Sequence, residues 1–367
     1  MLRCCYGDVD MIACDSIKLL YDDFCSLGKL GKEYAIIFVY NNTDNADDHH
    51  KTECVYPIEL QMIEQSFKKI AQFVYSFHSE IVFIKALDQI RAKHRHILVY
   101  SMAQNIEGIG RRALIPLICK YYNIINIGSD EYASFLSGDK KLMQKLLENN
   151  TELHFPKTIY INKYKTKSFI DVIAQMHAGQ YIVKPTNESA SIGVKQFELC
   201  SGNSKQVYTD LLEYSKKYST YCIQEYIDGL EVEVPIVKIG QDYFCPGVCQ
   251  IIFDDNINYL DYDTVGVDSY DFTHYPHSNT KIISDAVRVA KNLQFNCISR
   301  IDFRVKDGIP YIIDIGANPT ISTHSSTNYL FRNLLGDEAS VYHILVIRAL
   351  LQAGLFKPSF DQTKQNW

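Results

Sequence analysis

The chain has 367 residues, enough for two or three domains with proper cores, and its 47% hydrophobic and 22% charged shares are those of a globular protein. A formal net charge of −6 and an isoelectric point near 6.0 give no basic footprint for nucleic acid or an anionic membrane surface. No run approaches the ~20 apolar residues of a membrane-crossing helix, and the start, Met1 to Tyr6, lacks an apolar leader core; the expectation is a cytoplasmic protein.

The eleven cysteines are scattered, without a Cys-x-x-Cys pair, and no His cluster accompanies Cys245 and Cys249. This is the usage of small buried hydrophobes in a reducing compartment rather than of a zinc site.

In chain order, residues 2–6 read as a first strand and 11–27 as a helix ending near Gly28. Tyr34 to Tyr40 is a buried strand, and Asn41 to His50 a polar loop. Apolar residues at Ile63, Phe67, Ile70, Phe73, Val74 and Phe77 give a helical period over 58–77. Strands are expected at Ile81–Ile84 and Ile97–Tyr100, so strands alternate with helices as in a parallel sheet covered on both faces. Gly108-Ile109-Gly110-Arg111-Arg112 leads into a helix through Tyr122, and helices near 129–136 and 139–149 precede Pro156. Beyond it come a strand at Thr158–Ile161, a helix at Ser168–His177 and a strand at Tyr181–Lys184. The Ser/Gly loop Asn187 to Gly193, another strand, a helix near 204–217 and a strand at Tyr221–Ile227 follow. Asp228-Gly229 turns the chain into Leu230–Val234, whose alternation fits an antiparallel neighbour. Residues 254–276 show no clear period, and a loop so long inside a compact fold is usually functional. A helix at 280–292 leads to two apolar strands, 299–304 and 311–316, joined at Lys306-Asp307-Gly308, and two helices finish the chain.

Three places carry chemistry. Asp302 and Asp314 each sit between large apolar neighbours; they are either two surface acids on a hairpin or a pair sharing a cation, magnesium being the match for such oxygen ligands. Lys184 ends an apolar strand beside a Ser/Gly loop; it reaches either solvent or a polyphosphate, with Ser191 and backbone N–H groups as further donors. Gln224 to Glu231 is either a charged hairpin tip or a grip on an adenine amine and ribose hydroxyls.

Together and in this order, these pieces resemble the ATP-grasp superfamily, and within it the D-alanine–D-alanine ligases, most clearly over residues 97–335. The resemblance implies an α/β fold, α+β in its central part: an N-terminal open α/β domain (1–128), a central ATP-grasp subdomain (129–240) and a C-terminal one (241–367). The last would carry a lid at 254–276 and a metal hairpin at 297–319. It implies Lys140, Lys184, Glu188 and Ser191 at ATP phosphates, and Gln224, Glu225, Ile227 and Glu231 at adenosine. Asp302 and Asp314 would hold Mg2+, with Mn2+ as substitute, and Asn318 could stand in for an absent third ligand. Arg300 would stabilise an oxyanion, and Ser325, with Gly108 to Arg112, would mark the region of small amino-acid-like substrates; a homodimer is a family expectation.

The departures matter too. Gly316 stands where the family has an Asn metal ligand, Pro319-Thr320 replaces Pro-Gly, and the loop carries Ser189-Ala190 in place of Gly-Ser. Gln224 occupies a usual Glu position, and the lid segment Asp261 to Gly266 lacks the family's lysine and tyrosine. The N-terminal Gly-Gly-x-Ser-x-Glu motif is missing at Tyr6 to Asp10. The expected activity is ATP-dependent carboxylate–amine ligation of small amino acids, or of an amino acid to a metabolite. The alternatives are a cell-wall D-alanine–D-alanine ligase and a degenerate ATP-grasp protein that binds nucleotide without ligating.

Overall fold

A computed structural model of the chain describes residues 3–6, 9–45, 51–164, 169–254, 258–266, 269–277 and 279–359. The first strand, β1 (Arg3–Tyr6), does not enter the parallel sheet. It turns back at once into β2 (Val9–Ile12), a return that permits only antiparallel pairing. Met11 of this hairpin packs with Val234 and Ile236, far along the chain, and helix α1 (Cys14–Ser26) follows.

The parallel sheet begins at β3 (Tyr34–Val39) and continues through α2 (Pro57–Ile70), β4 (Val74–Phe77), α3 (Glu80–Arg91), β5 (His96–Ser101), α4 (Leu114–Tyr121) and β6 (Ile125–Asn126), in the order β4-β3-β5-β6. Two expectations are corrected here. The helix over 58–77 stops at Ile70, so that Val74–Phe77 becomes a strand, and Ile81–Ile84 is helix. The Ser79 side chain caps the Val82 N–H at 3.3 Å, and Phe83, Leu87 and Ile90 then bury one helical face, which overrides the β-propensity of the run. The polar loop after β3 is described up to Asn45; residues 46–50 lie outside the described residues.

Helices α5 (Glu131–Leu136) and α6 (Lys140–Leu147) start at the side-chain caps Asp130 and Asp139. An antiparallel sheet ordered β7-β10-β8-β9 comes next: β7 (Thr158–Asn162), α7 (Phe169–Ala174), β8 (Gly179–Pro185), β9 (Lys195–Leu199), α8 (Ser204–Lys217) and β10 (Thr220–Glu225). Residues 165–168, where the expected helix at Ser168 would begin, lie outside the described residues.

The last sheet holds β11 (Leu230–Ile239), β12 (Asp242–Phe244), β13 (Cys249–Phe253), α9 (Tyr262–Gly266), β14 (Tyr270–His274), α10 (Thr280–Asn292), β15 (Ile298–Lys306) and β16 (Ile309–Gly316), in the order β14-β13-β11-β15-β16 with β12 against β11. Asp228-Gly229 is therefore no hairpin tip. The chain changes sheets there, at a glycine whose Cβ would stand 2.4 Å from the Val305 carbonyl oxygen. The stretch 254–276 contains α9 and the edge strand β14, while residues 255–257 and 267–268 lie outside the described residues. Finally, α11 (Ser326–Leu335) and α12 (Ser340–Gln352), the latter buried from Ser340 to Leu350, pack Phe331 and Tyr342 into one core with Phe38, Phe67 and Tyr100 of the parallel sheet and α2. No helix among the described residues is long and apolar enough to cross a membrane.

Candidate active site

The three sheets surround a cavity of about 570 Å³. All thirteen residues singled out from the sequence for nucleotide, metal or chemistry line it, from Lys140 to Ser325.

Its floor is the β15–β16 hairpin. Asp307 (φ +51°) and Gly308 (φ +77°) make the turn, which sets Asp302 directly opposite Asp314. A bulge follows: Phe303 pairs with Ile312, leaving Ile313 out of register. The Ile313 carbonyl accepts a 2.6 Å hydrogen bond from Lys184 Nζ, so the strand-end lysine is turned onto the hairpin, not into solvent. Lys140 Nζ lies 2.7 Å from the Asp314 carboxylate. Burial alone would raise the Asp314 carboxyl, but Lys140 and Lys184 hold it below the usual carboxylate value. Arg300 clasps Asp302 through Nε and Nη2, both at 2.8 Å, yet burial and the neighbouring Asp314 leave the Asp302 carboxyl raised.

One wall is β11. Glu231 receives Arg304 through Nε at 3.1 Å and Nη2 at 2.6 Å, and the same guanidinium lies 4.5 Å from the Tyr226 ring centre and donates to the Ile227 carbonyl. It also donates to the Asn258 carbonyl, which ties the segment beginning at Asn258 to β15. Gln224 is buried and donates to Thr158 at 3.2 Å, whereas Glu225, 3.7 Å from Lys157, is less enclosed. Glu233 opposes Asp302 across β11 and β15 and lies 3.1 Å from Arg300; burial pushes its carboxyl up to about 8.

The opposite wall is the loop after β8. Ala190 (φ +49°) and Ser191 (φ +56°) adopt left-handed backbone in succession, a strained form that recurs at binding sites. Gly193 (φ +75°) is required, because a Cβ there would meet the Tyr218 ring at 2.7 Å and Pro185 at 2.9 Å. The loop is fastened to the parallel sheet. Ser189 donates to Glu53, Arg112 donates to Ser189 at 2.8 Å, and Arg111 spans Glu53 at 2.7 Å and Glu188 at 3.3 Å.

Glu53, Glu233 and Arg304 are site residues to which the sequence analysis assigned no role. Because β1 lies outside the parallel sheet, the place for an acidic residue after the first parallel strand is before α2, where Glu53 stands, and not at Tyr6 to Asp10; Gly7 and Asp8 lie outside the described residues. The signal was the buried strand read at 34–40 followed by a helix, the ligand end of an open α/β unit.

The donor set fits a hard cation with a polyphosphate: two opposed carboxylates, two lysines and an arginine at one end of the cavity. Among the described residues no group of three or more His, Cys, Asp or Glu side chains is placed to hold a metal, so a third protein ligand would come from an amide, a hydroxyl or a backbone carbonyl. Asn318 lines the cavity, although its amide donates to Ser134 at 3.0 Å. At Gly316 a Cβ would approach nothing closer than 4.0 Å, so the backbone there does not itself bar a side chain. Ser325 lines the cavity but caps α11, accepting from the Asn328 N–H and donating to the Ser322 carbonyl, while the next hydroxyl, Ser326, reaches Glu233.

Residues 154–340 match the family described as D-ala D-ala ligase C-terminus. The chain is 27% identical over 223 residues to the D-alanine–D-alanine ligase of Coprothermobacter proteolyticus, covering 59% of this chain and 70% of that one. With the corresponding ligase of Pseudothermotoga lettingae it shares 24% over 273 residues, 73% of this chain and 79% of the relative. The crystal structure of D-alanine–D-alanine ligase from Bacillus anthracis superposes with a TM-score of 0.66 at 17% identity, over 88% of this chain and 99% of that one, a likeness of fold.

Proposed function

Because the chain belongs to the D-alanine–D-alanine ligase family of ATP-grasp ligases, we propose that it uses ATP to join a small carboxylate donor, an amino acid, to an amine through an acyl-phosphate. The observation that carries this reading is the convergence of Lys140, Lys184, Arg300, Asp302 and Asp314 on one cavity that Glu231 and Gln224 also line.

In this reading Lys140 and Lys184 bind phosphate oxygens, with Ser191 and the left-handed N–H groups of its loop above them. Glu231, held by Arg304, and Gln224, Glu225 and the Ile227 backbone take adenosine. Glu188 stands at the phosphate loop as the partner of Arg111. Asp302 and Asp314, with Asn318 or water completing the set, would hold Mg2+, which supplies charge neutralisation between phosphates.

A donor carboxylate oxygen attacks the γ-phosphorus, and the bond to ADP breaks. The amine nitrogen then forms the C–N bond, the C–O bond to phosphate breaks, and the ammonium proton passes to solvent. Arg300 lines the cavity beside the hairpin, where it meets the oxyanion of the second step. The segment 258–266, pinned by Arg304 to Asn258 and packed through α9 on the Lys51–Glu53 turn, excludes water from the acyl-phosphate. The division at 128 and 240 is proposed with one adjustment: β11 goes with the C-terminal unit, since it pairs with β13 and β15.

Phosphate release from Mg-ATP across a panel of D- and L-amino acids and amines tests this reading. Release that requires both a carboxylate and an amine supports it; background release with every pair contradicts it. Release with D-alanine alone, at rates no other substrate matches, assigns the cell-wall reaction instead.

A further inference from the structure

Glu233 has no part in the assignments above, and it is 3% exposed. Its carboxylate is held at both oxygens: one lies 3.1 Å from Arg300 Nη2, and the other accepts a hydrogen bond from Ser326 Oγ. Ser326 is the first residue of α11, so this carboxylate sits at the positive end of a helix of 10 residues. A guanidinium together with a hydroxyl at a helix N-terminus is what a protein offers to seize a carboxylate from a ligand. Here both are already engaged by a carboxylate of the protein itself.

The other contacts of the guanidinium point the same way. Arg300 also carries Asp302 on its Nε and Nη2 edge, so the Nη2 that meets Glu233 is shared between two acidic side chains. An acceptor carboxylate brought to this edge of Arg300 and to Ser326 would have to displace the buried Glu233 side chain. An acceptor without a carboxylate has no such group to displace.

We propose that Glu233 fills the place of an acceptor carboxylate, so that the second substrate of this ligase is an amine with no carboxylate on the carbon beside its nitrogen. This rests on the amide-ligase reading and names the acceptor class within it. Glu233 is then a specificity-determining residue that excludes α-amino acids as acceptors.

The experiment is phosphate release from Mg-ATP with matched acceptors, alanine against alaninamide and ethylamine, each offered with a panel of amino-acid donors. The wild-type protein is expected to turn over at least tenfold faster with the carboxylate-free acceptors. Glu233→Thr, which frees Arg300 and Ser326, is expected to move that ratio at least tenfold toward alanine, mainly through the acceptor KM. Glu233→Gln, of the same shape, moves it in the same direction and covers the case in which the threonine variant fails to fold. Equal or better use of alanine by the wild type overturns the proposal while leaving the ligase reading intact, as does a ratio that neither variant changes. Background release with every pair overturns both.

Discussion

Asp302 and Asp314 face each other across the β15–β16 hairpin, and each is matched to its own cation, Arg300 at 2.8 Å and Lys140 at 2.7 Å. Two carboxylates so close, one buried and one half-buried, would repel, and the paired cations keep them together in the free protein. In the proposed reading, nucleotide phosphates would offer Lys140 another partner and would free the Asp314 carboxylate to hold a metal.

Asp302→Asn keeps a hydrogen-bonding side chain next to Arg300 while removing the charge. Turnover is expected to fall by at least about a hundredfold, with Mg-ATP binding weakened far less than by Lys184→Ala. Steady-state kinetics with nucleotide titration checks this; full activity in Asp302→Asn would remove Asp302 from the metal set.

Glu53→Gln weakens one of the two links to Ser189, leaving that from Arg112, and leaves Glu188 as the ionic partner of Arg111. Breaking one side of this enclosed pair is expected to lower unfolding free energy by about 1–3 kcal/mol. Amide hydrogen exchange should rise in residues 187–193 more than in β8, and unchanged exchange there would contradict the fastening role.

Gly193→Ala places a methyl group on a residue at φ +75° between the Tyr218 ring and Pro185. The strained backbone costs about 1–2 kcal/mol, and the clash adds to it. Thermal unfolding should show the loss, and Mg-ATP affinity should fall with it, because the same turn aims Ser191.

His343 joins α12 to α1 and α2: its Nε2 donates to the Ser66 carbonyl at 2.9 Å, and its Nδ1 lies 3.3 Å from the Tyr21 hydroxyl. Burial, outweighing Asp337 and the Ser66 carbonyl, holds its pKa below the usual 6.5. Between those two values the unfolded chain binds a proton that the folded chain does not. Stability is therefore complete above about pH 6.5 and falls as pH drops toward the folded pKa, by at most about 1.4 kcal/mol per unit. His343→Gln should flatten that slope in denaturant unfolding followed from pH 7 to 5.

The hairpin that sets Asp302 opposite Asp314 and the strand-end lysine were legible because local rules write them: an Asp-Gly turn, and acids or a lysine set in short apolar runs. Glu53 was not, because its partner Ser189 lies 136 positions away and an N-terminal hairpin displaces the start of the parallel sheet. Glu233 was hidden by its own pattern. Leu-Glu-Val-Glu-Val reads as one apolar and one solvated face, but β11 lies in the middle of a sheet with both faces covered, and its polar face is the cavity wall. The run Ile81–Ile84 misled for a related reason: four apolar residues fit a buried strand as well as a helical face until the Ser79 cap is seen.

The most direct test follows an oxygen atom. With the donor that the panel selects labelled with 18O in its carboxylate, the acyl-phosphate route leaves one donor oxygen on phosphorus when the amine displaces it. Mass spectrometry of the released phosphate should therefore show one 18O per phosphate, formed in step with the amide. Phosphate free of label, released while amide accumulates, would contradict the account.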